Sequence, residues 1–175
     1  MTKQKLAIVT SNPLKYTELE YALRDFFDCE QMNLSGLYEI QGEPEEIIMH
    51  KMREAYIRAG MSVLVDDVSL HLDVLNGFPG SYIKSFSEHI PPKEMGERYA
   101  GTGVEAYCRL ALCMSDEDFI LSEGSFRGRL VPPHPGVDHP WNFDICVIAD
   151  GTDKPMSDYS TEEKNSFSHR GHAIR

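Results

Sequence analysis

The sequence has no apolar run long enough to span a bilayer, and residues 1–5 lead directly into a strand pattern without a signal-peptide core or cleavage site. Its four cysteines, Cys29, Cys108, Cys113 and Cys146, form no CxxC pair, which excludes zinc-ribbon and thioredoxin-type motifs. We therefore expect reduced thiols, packed mostly as small apolar side chains, and a cytoplasmic location.

Positive charge is scarce. The chain has 17 Lys and Arg residues against 28 Asp and Glu residues, which gives a formal net charge of −11. Such a chain would repel nucleic acids and anionic membranes, so we expect neither as a partner. A small anionic substrate is compatible with this charge, provided that Lys, Arg or a metal ion is concentrated where it binds.

The familiar motifs for phosphate and zinc binding are also missing. There is no GxGxxG after a strand, no GxxxxGK[ST] and no HExxH. His169 and His172 could share one helical face, but a solvated pair is the commoner arrangement, and we expect that rather than a metal site.

Strand and helix patterns alternate in the first half of the chain. Pro13 and Pro44 each suit the first position of a helix, and Gly60 is a natural end for the second one. The apolar run 62–65 is typical of a buried strand, which would deliver Asp66 and Asp67 at its end. The other elements expected here are a strand over 5–10, a helix from 13 to about 27, a strand near 29–34, and an extended segment 70–75 before a turn at 76–80.

A long hairpin dominates the second half. Apolar alternation over 106–114 and 119–131 predicts its two strands, with the acidic residues 116–118 at the tip. The remaining expectations are short helices over 82–86 and 92–99, a loop at 132–136, a strand over 143–149, and a last helix opened by a capping box at Ser160 and Glu163. Together these predict one α/β domain, 1–175, with a mixed sheet and flanking helices.

The first candidate site is the strand-to-helix junction 10–15, with the sequence Thr-Ser-Asn-Pro-Leu-Lys. Free backbone N–H groups at the start of a helix bind phosphate well, and Lys15 adds positive charge. Ser and Asn before a helix are more often simple caps, so both interpretations stay open.

The second candidate is the acidic pair Asp66 and Asp67. Side chains alternate along a strand, so one carboxylate could face a cleft while the scaffold holds the other. A turn with two exposed aspartates is an equally good interpretation. Further along, Trp141 suits the rim of a pocket, whereas Phe143 beside Asp144 is typical of core packing.

Taken in chain order, these short motifs resemble those of the inosine triphosphate pyrophosphatase family, the Ham1-like pyrophosphatases of non-standard purine nucleoside triphosphates. The resemblance extends from Ile8 to Arg170. It rests on Thr10-Ser11-Asn12 with Lys15 and Glu18, on 39–44, on Val65-Asp66-Asp67, on 76–84, on Phe126-Arg127-Gly128, on Phe143-Asp144 with Asp150-Gly151, and on Glu163-Lys164-Asn165 with Ser168-His169-Arg170.

The resemblance implies an elongated mixed sheet, two lobes around a central cleft, a homodimer and a Mg²⁺ requirement. Asp67 would be the catalytic base and, with Glu39, would hold the metal. Lys51, also expected in catalysis, and Lys84 would add charge around phosphates bound by Thr10, Ser11, Asn12 and Lys15. The nucleoside pocket would use backbone groups of Val68 and the side chains of Trp141, Phe143, Asp144, Lys164, His169 and Arg170.

The function implied is hydrolysis of ITP, dITP or XTP to the monophosphate and pyrophosphate. Arg170, which only donates hydrogen bonds, would suit a 6-keto oxygen better than the 6-amino group of adenine. Val68 and Asn142 depart from the family pattern, so a shifted nucleotide specificity is one alternative. The other is a nucleotide-binding protein without turnover, although binding alone would not require Glu39 and Asp67.

Overall fold

The computed structural model describes residues 2–37, 40–139 and 142–175. In these ranges the strands are β1 (Gln4–Val9), β2 (Phe27–Met32), β3 (Val63–Leu72), β4 (Pro79–Gly80), β5 (Gly103–Ser115), β6 (Asp118–Leu130) and β7 (Val147–Ala149). The helices are α1 (Pro13–Leu23), α2 (Pro44–Ala59), α3 (Ile83–His89), α4 (Pro92–Arg98), α5 (Thr161–Phe167) and α6 (His169–Ile174). None of the helices described is long and apolar enough to cross a membrane.

The described strands form one seven-stranded mixed sheet. Its order is β2-β1-β3-β5-β6-β7, and β4 pairs with β3 outside this path. Strand β1 is parallel to both β2 and β3, whereas β4 runs antiparallel to β3 and β7 antiparallel to β6. The predicted α/β class with a mixed sheet is confirmed.

The chain divides into two compact units. Unit 1 comprises Met1–Asp67, Cys108–Gly124 and Arg170–Arg175, and unit 2 comprises Val68–Tyr107 and Ser125–His169. Each unit has a buried apolar cluster of its own. The cluster of unit 1 includes Val9, Ile48, Met52, Val63, Val65 and Ala111, and that of unit 2 includes Leu72, Ile83, Met95, Val104, Leu130 and Met156.

Helix α2 follows the prediction closely. Pro44 occupies its first turn, the Glu46 carboxylate accepts a hydrogen bond from the Glu43 amide at 3.0 Å, and Gly60 ends the helix at φ 65°. A positive φ is a conformation that glycine adopts without the steric cost of a Cβ. The apolar face, which includes Met52, is buried against the sheet strands of unit 1.

Helix α1 is shorter than predicted. It ends at Leu23, and Phe26, which lies inside the predicted range of 13 to about 27, is 71% exposed. Strand β2 begins at Phe27 because it pairs in parallel with β1 from Gln4↔Phe27 onward. This long-range pairing decides the boundary, and local apolar spacing contains no information about it.

Two other boundaries were wrong. Strand β3 continues to Leu72 by pairing with β4, so Asp66 and Asp67 lie in mid-strand rather than at a strand end. The expected strand over 143–149 is a 3₁₀ helix over Phe143–Cys146 followed by the short β7. The Asn142 side chain caps this 3₁₀ helix, because its Oδ1 accepts a hydrogen bond of 3.0 Å from the Asp144 amide.

Two residues of α2 provide a test of the core of unit 1. Met52 is 2% exposed and Ile57 is 77% exposed on the same helix. We expect Met52→Ala to lower the free energy of unfolding by about 2–5 kcal/mol, because a buried side chain is lost and a cavity forms. Ile57→Ala should stay within about 0.5 kcal/mol of the parent chain. Urea denaturation measures both, and equal losses would contradict the assigned core face.

Candidate functional site

The junction between β1 and α1 is a capped helix start. The Asn12 side chain accepts hydrogen bonds from the amides of Leu14 at 2.9 Å and Lys15 at 3.4 Å. The Asn12 amide in turn donates to Thr10 Oγ1 at 3.1 Å. The cap interpretation is thus confirmed, and the expectation of free amides is wrong for these three residues. Ser11 is exposed and Lys15 is partly exposed, so both side chains are accessible to a ligand.

Lys15 forms an ion pair with a buried carboxylate. Its Nζ lies 2.8 Å from Oδ2 of Asp66, whose side chain is 2% exposed. Burial acts to raise the pKa of Asp66, but the charges of Lys15, Arg170 and Lys51 outweigh it and hold that pKa well below its usual range. Asp66 is therefore ionised at neutral pH, which corrects the alternative of two exposed aspartates in a turn.

Arg170, in the first turn of α6, is the second cation on Asp66. Its Nη2 donates to Asp66 Oδ2 at 3.3 Å, and its Nη1 donates to the buried carboxylate of Glu18 on α1. Burial acts to lower the pKa of Arg170, whereas the carboxylates of Asp66 and Glu18 raise it by more, so the guanidinium stays charged. Among the described residues, Arg170 Nε is buried without a hydrogen-bond partner.

These four residues, Lys15, Glu18, Asp66 and Arg170, form what we call the buried ionic cluster. It holds two cations and two carboxylates in unit 1, so its charges are balanced. Buried ions are tolerated when each has an oppositely charged partner and hydrogen bonds. Cys108 lies nearby with its pKa raised to about 12 by burial, so it contributes a neutral thiol. The cluster joins α1, β3 and α6.

Asp67 follows Asp66 on β3 and is half-buried. The alternation of side chains along a strand predicts that its carboxylate points to the opposite side of the sheet from Asp66. The two neighbouring aspartates can therefore have different roles: Asp66 is held within the protein by ion pairs, and Asp67 is available for another contact. Val68, the next residue, is half-buried and belongs to unit 2.

The donor chemistry at Asp67 suits magnesium. Mg²⁺ prefers oxygen ligands, keeps several waters, and needs only one or two carboxylates when phosphates complete its shell. The described ranges contain no group of three or more His, Cys, Asp or Glu side chains that could hold a metal ion by themselves. The second predicted ligand, Glu39, lies outside the described residues. A complete protein cage for a metal is therefore absent from the part described, and a site completed by substrate oxygens is compatible with Asp67.

Unit 2 contains a second ion pair from the predicted set. The Lys164 ammonium on α5 is bonded to Asp144 of the 3₁₀ helix, and both side chains are mostly buried. Phe143 packs partly buried against the core of unit 2, as expected for core packing. Two predicted members of one pocket are thus adjacent in space although 20 residues apart in sequence.

His169 corrects the expectation of a solvated histidine pair. It is 8% exposed and lies edge-on to Phe126, with ring centroids 5.4 Å apart. His172 is exposed, so the two rings differ in environment although they share α6. Lys84 is exposed in the first turn of α3, and Trp141 lies outside the described residues.

Comparison with known proteins agrees with this arrangement. The family model described as "Ham1 family" matches residues 6–175. An inosine triphosphate pyrophosphatase of Encephalitozoon intestinalis is 34% identical over 182 residues, covering 100% of this chain and 91% of that protein. The chain belongs to the Ham1 family. The family resemblance expected from the motifs is thereby confirmed.

Solved structures of Ham1 proteins share the fold. The Staphylococcus aureus protein is 21% identical with a TM-score of 0.70, covering 97% of this Ham1-family chain and 94% of that chain. The Coxiella burnetii protein is 20% identical with a TM-score of 0.73, covering 98% and 94%. At these identities the likeness shows the fold alone.

Glu18 is the residue of the cluster that motif reasoning left without a role. It belongs to the Ham1 motif as a position three residues after Lys15, and that spacing puts both side chains on neighbouring faces of α1. The sequence signal that could have identified Glu18 is its position directly before Leu19, an apolar residue that is buried on the same helix. Nothing in the sequence of this Ham1-family chain indicated that Arg170, 152 residues away, would be its partner.

Two aspartates allow the cost of breaking the ionic cluster to be measured. In this Ham1-family chain Asp66→Asn leaves Arg170 and Lys15 partly uncompensated, and we expect a loss of about 3–5 kcal/mol in unfolding free energy. Asp73, whose ion pair with Arg127 is more than half exposed, is the matched control. Asp73→Asn should cost less than about 1 kcal/mol in the same urea titration. Similar losses for both variants would show that Asp66 is not the structural ion described.

Proposed function

We propose that this chain is a nucleoside triphosphate pyrophosphatase that hydrolyses non-standard purine nucleotides, ITP, dITP and XTP, to the monophosphate and pyrophosphate. Membership of the Ham1 family and the name of the E. intestinalis relative support the reaction class. The observation that supports it most directly is the partly exposed Lys15 in the first turn of α1, whose ion-pair partner Asp66 directly precedes the half-buried Asp67.

The distribution of charge favours a triphosphate as substrate. Lys15, Lys51 and Arg170 all act electrostatically on Asp66 in a chain whose formal net charge is −11. Lys15 is partly exposed and lies in the first turn of α1, where the helix dipole also favours anions. A triphosphate can replace Asp66 as the partner of the Lys15 ammonium, because the Asp66 carboxylate then still has Arg170 as its partner. Ser11 and Lys84 are proposed as further phosphate contacts.

Asp67 is the proposed general base. Its carboxylate would accept a proton from a water molecule as that oxygen attacks the α-phosphorus. The bond between the α-phosphorus and the bridging oxygen breaks, and pyrophosphate leaves with that oxygen. A carboxylate is a weak base, but it can accept this proton because the attacking water becomes more acidic as its bond to phosphorus forms. Cationic side chains stabilise the charge that develops on the departing pyrophosphate.

Magnesium is the proposed cofactor, with Asp67 and Glu39 as its ligands. When bound to the triphosphate it would neutralise phosphate charge and favour ionisation of a coordinated water. The oxygen chemistry of Asp67 supports this assignment.

For the nucleoside we propose contacts from Phe143, Asp144, Lys164 and His169 in unit 2, together with Val68 and Trp141. The pairing of Lys164 with Asp144 supports a preorganised polar group there. Arg170 is 6% exposed and both of its Nη atoms are bonded to carboxylates, so the contact with a 6-keto oxygen that the resemblance implied for it is not part of this proposal. A homodimer and a cytoplasmic location, both implied by the family resemblance or by composition, stay predictions.

A nucleotide panel tests the substrate proposal. The protein with Mg²⁺ is incubated with ITP, XTP, GTP, ATP and TTP, and pyrophosphate is measured separately from orthophosphate. We expect pyrophosphate from ITP and XTP at rates well above those from ATP and TTP, because a pocket that hydrogen-bonds a 6-keto oxygen cannot make the same bond to the 6-amino group of adenine. Equal turnover of all five would overturn the preference for non-standard purines, and binding without product would overturn the enzymatic proposal.

A second test concerns the base. Asp67→Asn should lower kcat by roughly 10²–10⁴-fold, the usual contribution of a positioned general base, while the chain still folds. Asp150→Asn is a suitable control because Asp150 is exposed after β7, and its kcat should be unchanged. A near-normal kcat for Asp67→Asn would remove Asp67 from the proposed mechanism.

A further inference from the structure

Lys51 makes a contact that the sequence did not suggest. It lies in α2 and is half-buried, and its Nζ donates a hydrogen bond of 2.7 Å to the backbone carbonyl oxygen of Asp66. The carboxylate of Asp66 is bonded separately, by Lys15 and Arg170. One residue of β3 is therefore held at two points, the side chain by the buried ionic cluster and the main chain by Lys51.

The position of this carbonyl explains why a side-chain donor is useful there. The parallel pairing of β1 with β3 is registered at Ala7↔Val63 and Ile8↔Leu64, and Asp66 lies two residues beyond it. A polar main-chain group in a residue that is 2% exposed needs a partner from within the protein. The Lys51 ammonium supplies that partner from the neighbouring helix.

The bond acts on Asp67 through the peptide unit. The carbonyl of Asp66 and the amide of Asp67 belong to one planar group, so fixing the oxygen fixes the plane that leads into Asp67. The direction of the Asp67 side chain depends on that plane. Because a displacement of about 1 Å in a reacting group can reduce rates by about 10²-fold, such an anchor has kinetic consequences.

We propose that Lys51 is a positioning residue for Asp67, holding the peptide between Asp66 and Asp67 rather than binding the substrate phosphates directly. This rests on the proposed function, in which Asp67 is the base. It differs from the role that the family resemblance implied for Lys51, which was to add charge around the phosphates.

The two roles give different kinetics. A lysine that binds phosphate contributes to affinity, so its loss raises KM and weakens inhibition by pyrophosphate. A lysine that only orients the base contributes after the substrate is bound, so its loss lowers kcat and leaves affinity nearly unchanged.

The first experiment compares Lys51→Met with Lys15→Met, a lysine proposed to meet phosphate. For Lys51→Met we expect kcat for ITP to fall by roughly 10- to 100-fold, with KM and the pyrophosphate inhibition constant within about threefold of the parent. Lys15→Met should instead raise both constants. Lys51→Arg, whose longer side chain keeps hydrogen-bond donors and charge, should recover much of kcat. A tenfold or larger rise in the pyrophosphate inhibition constant for Lys51→Met would overturn the proposal.

The second experiment does not depend on turnover. Amide hydrogen exchange is measured on peptides that cover 63–67 and, as an internal control, on peptides that cover β1. We expect Lys51→Met to speed exchange over 63–67 and to leave β1 unchanged, and Lys51→Arg to restore protection. Unchanged exchange over 63–67 in Lys51→Met would show that Lys51 does not hold this peptide.

The two experiments separate this inference from the proposed function. If the parent protein turns over none of the five nucleotides, the proposed function fails, and the exchange measurement still decides whether Lys51 anchors β3. If turnover is as proposed but exchange and kcat are both unchanged in Lys51→Met, the positioning role alone is wrong.

Discussion

The buried charge of Asp66 is the constraint on which unit 1 depends. A carboxylate that is 2% exposed is stable in its ionised form only when cations compensate the lost hydration. Lys15 from α1 and Arg170 from α6 provide this compensation, and Glu18 balances the second of these two positive charges. Helices α1 and α6, which are far apart in sequence, are thereby both bound to β3 at Asp66.

The proposed function places an anionic substrate beside this cluster in a chain whose net charge is −11. Lys15, Lys51 and Arg170 together lower the pKa of Asp66, so cations are concentrated around this one aspartate. In the proposed function Lys15 binds the substrate while Asp66 retains Arg170 as its partner. Asp66 serves the scaffold, and the alternation of side chains along β3 predicts that Asp67, the proposed base, points the other way.

Much of the fold could be predicted because its signals are local. Helix α2 follows from Pro44, an apolar face and Gly60, and the α5 capping box follows from Ser160 and Glu163. The wrong boundaries have non-local causes: β2 starts where β1 offers a partner, and β3 passes through the two aspartates because β4 pairs with its far end. For the site, motif order identified the Ham1 family, yet left the partners of individual residues undetermined.

The sequence by itself determined the fold class, the family and the set of residues worth examining, since residue type, periodicity and motif order are all written along the chain. Only the tertiary structure decided that Asp66 is a buried counter-ion, that Arg170 pairs with Glu18, and that Lys51 holds a carbonyl rather than standing alone. The reason is physical. Ion pairs and main-chain hydrogen bonds over such separations depend on which side chains the packed helices and strands bring within about 3 Å of each other, and that distance is a property of packing.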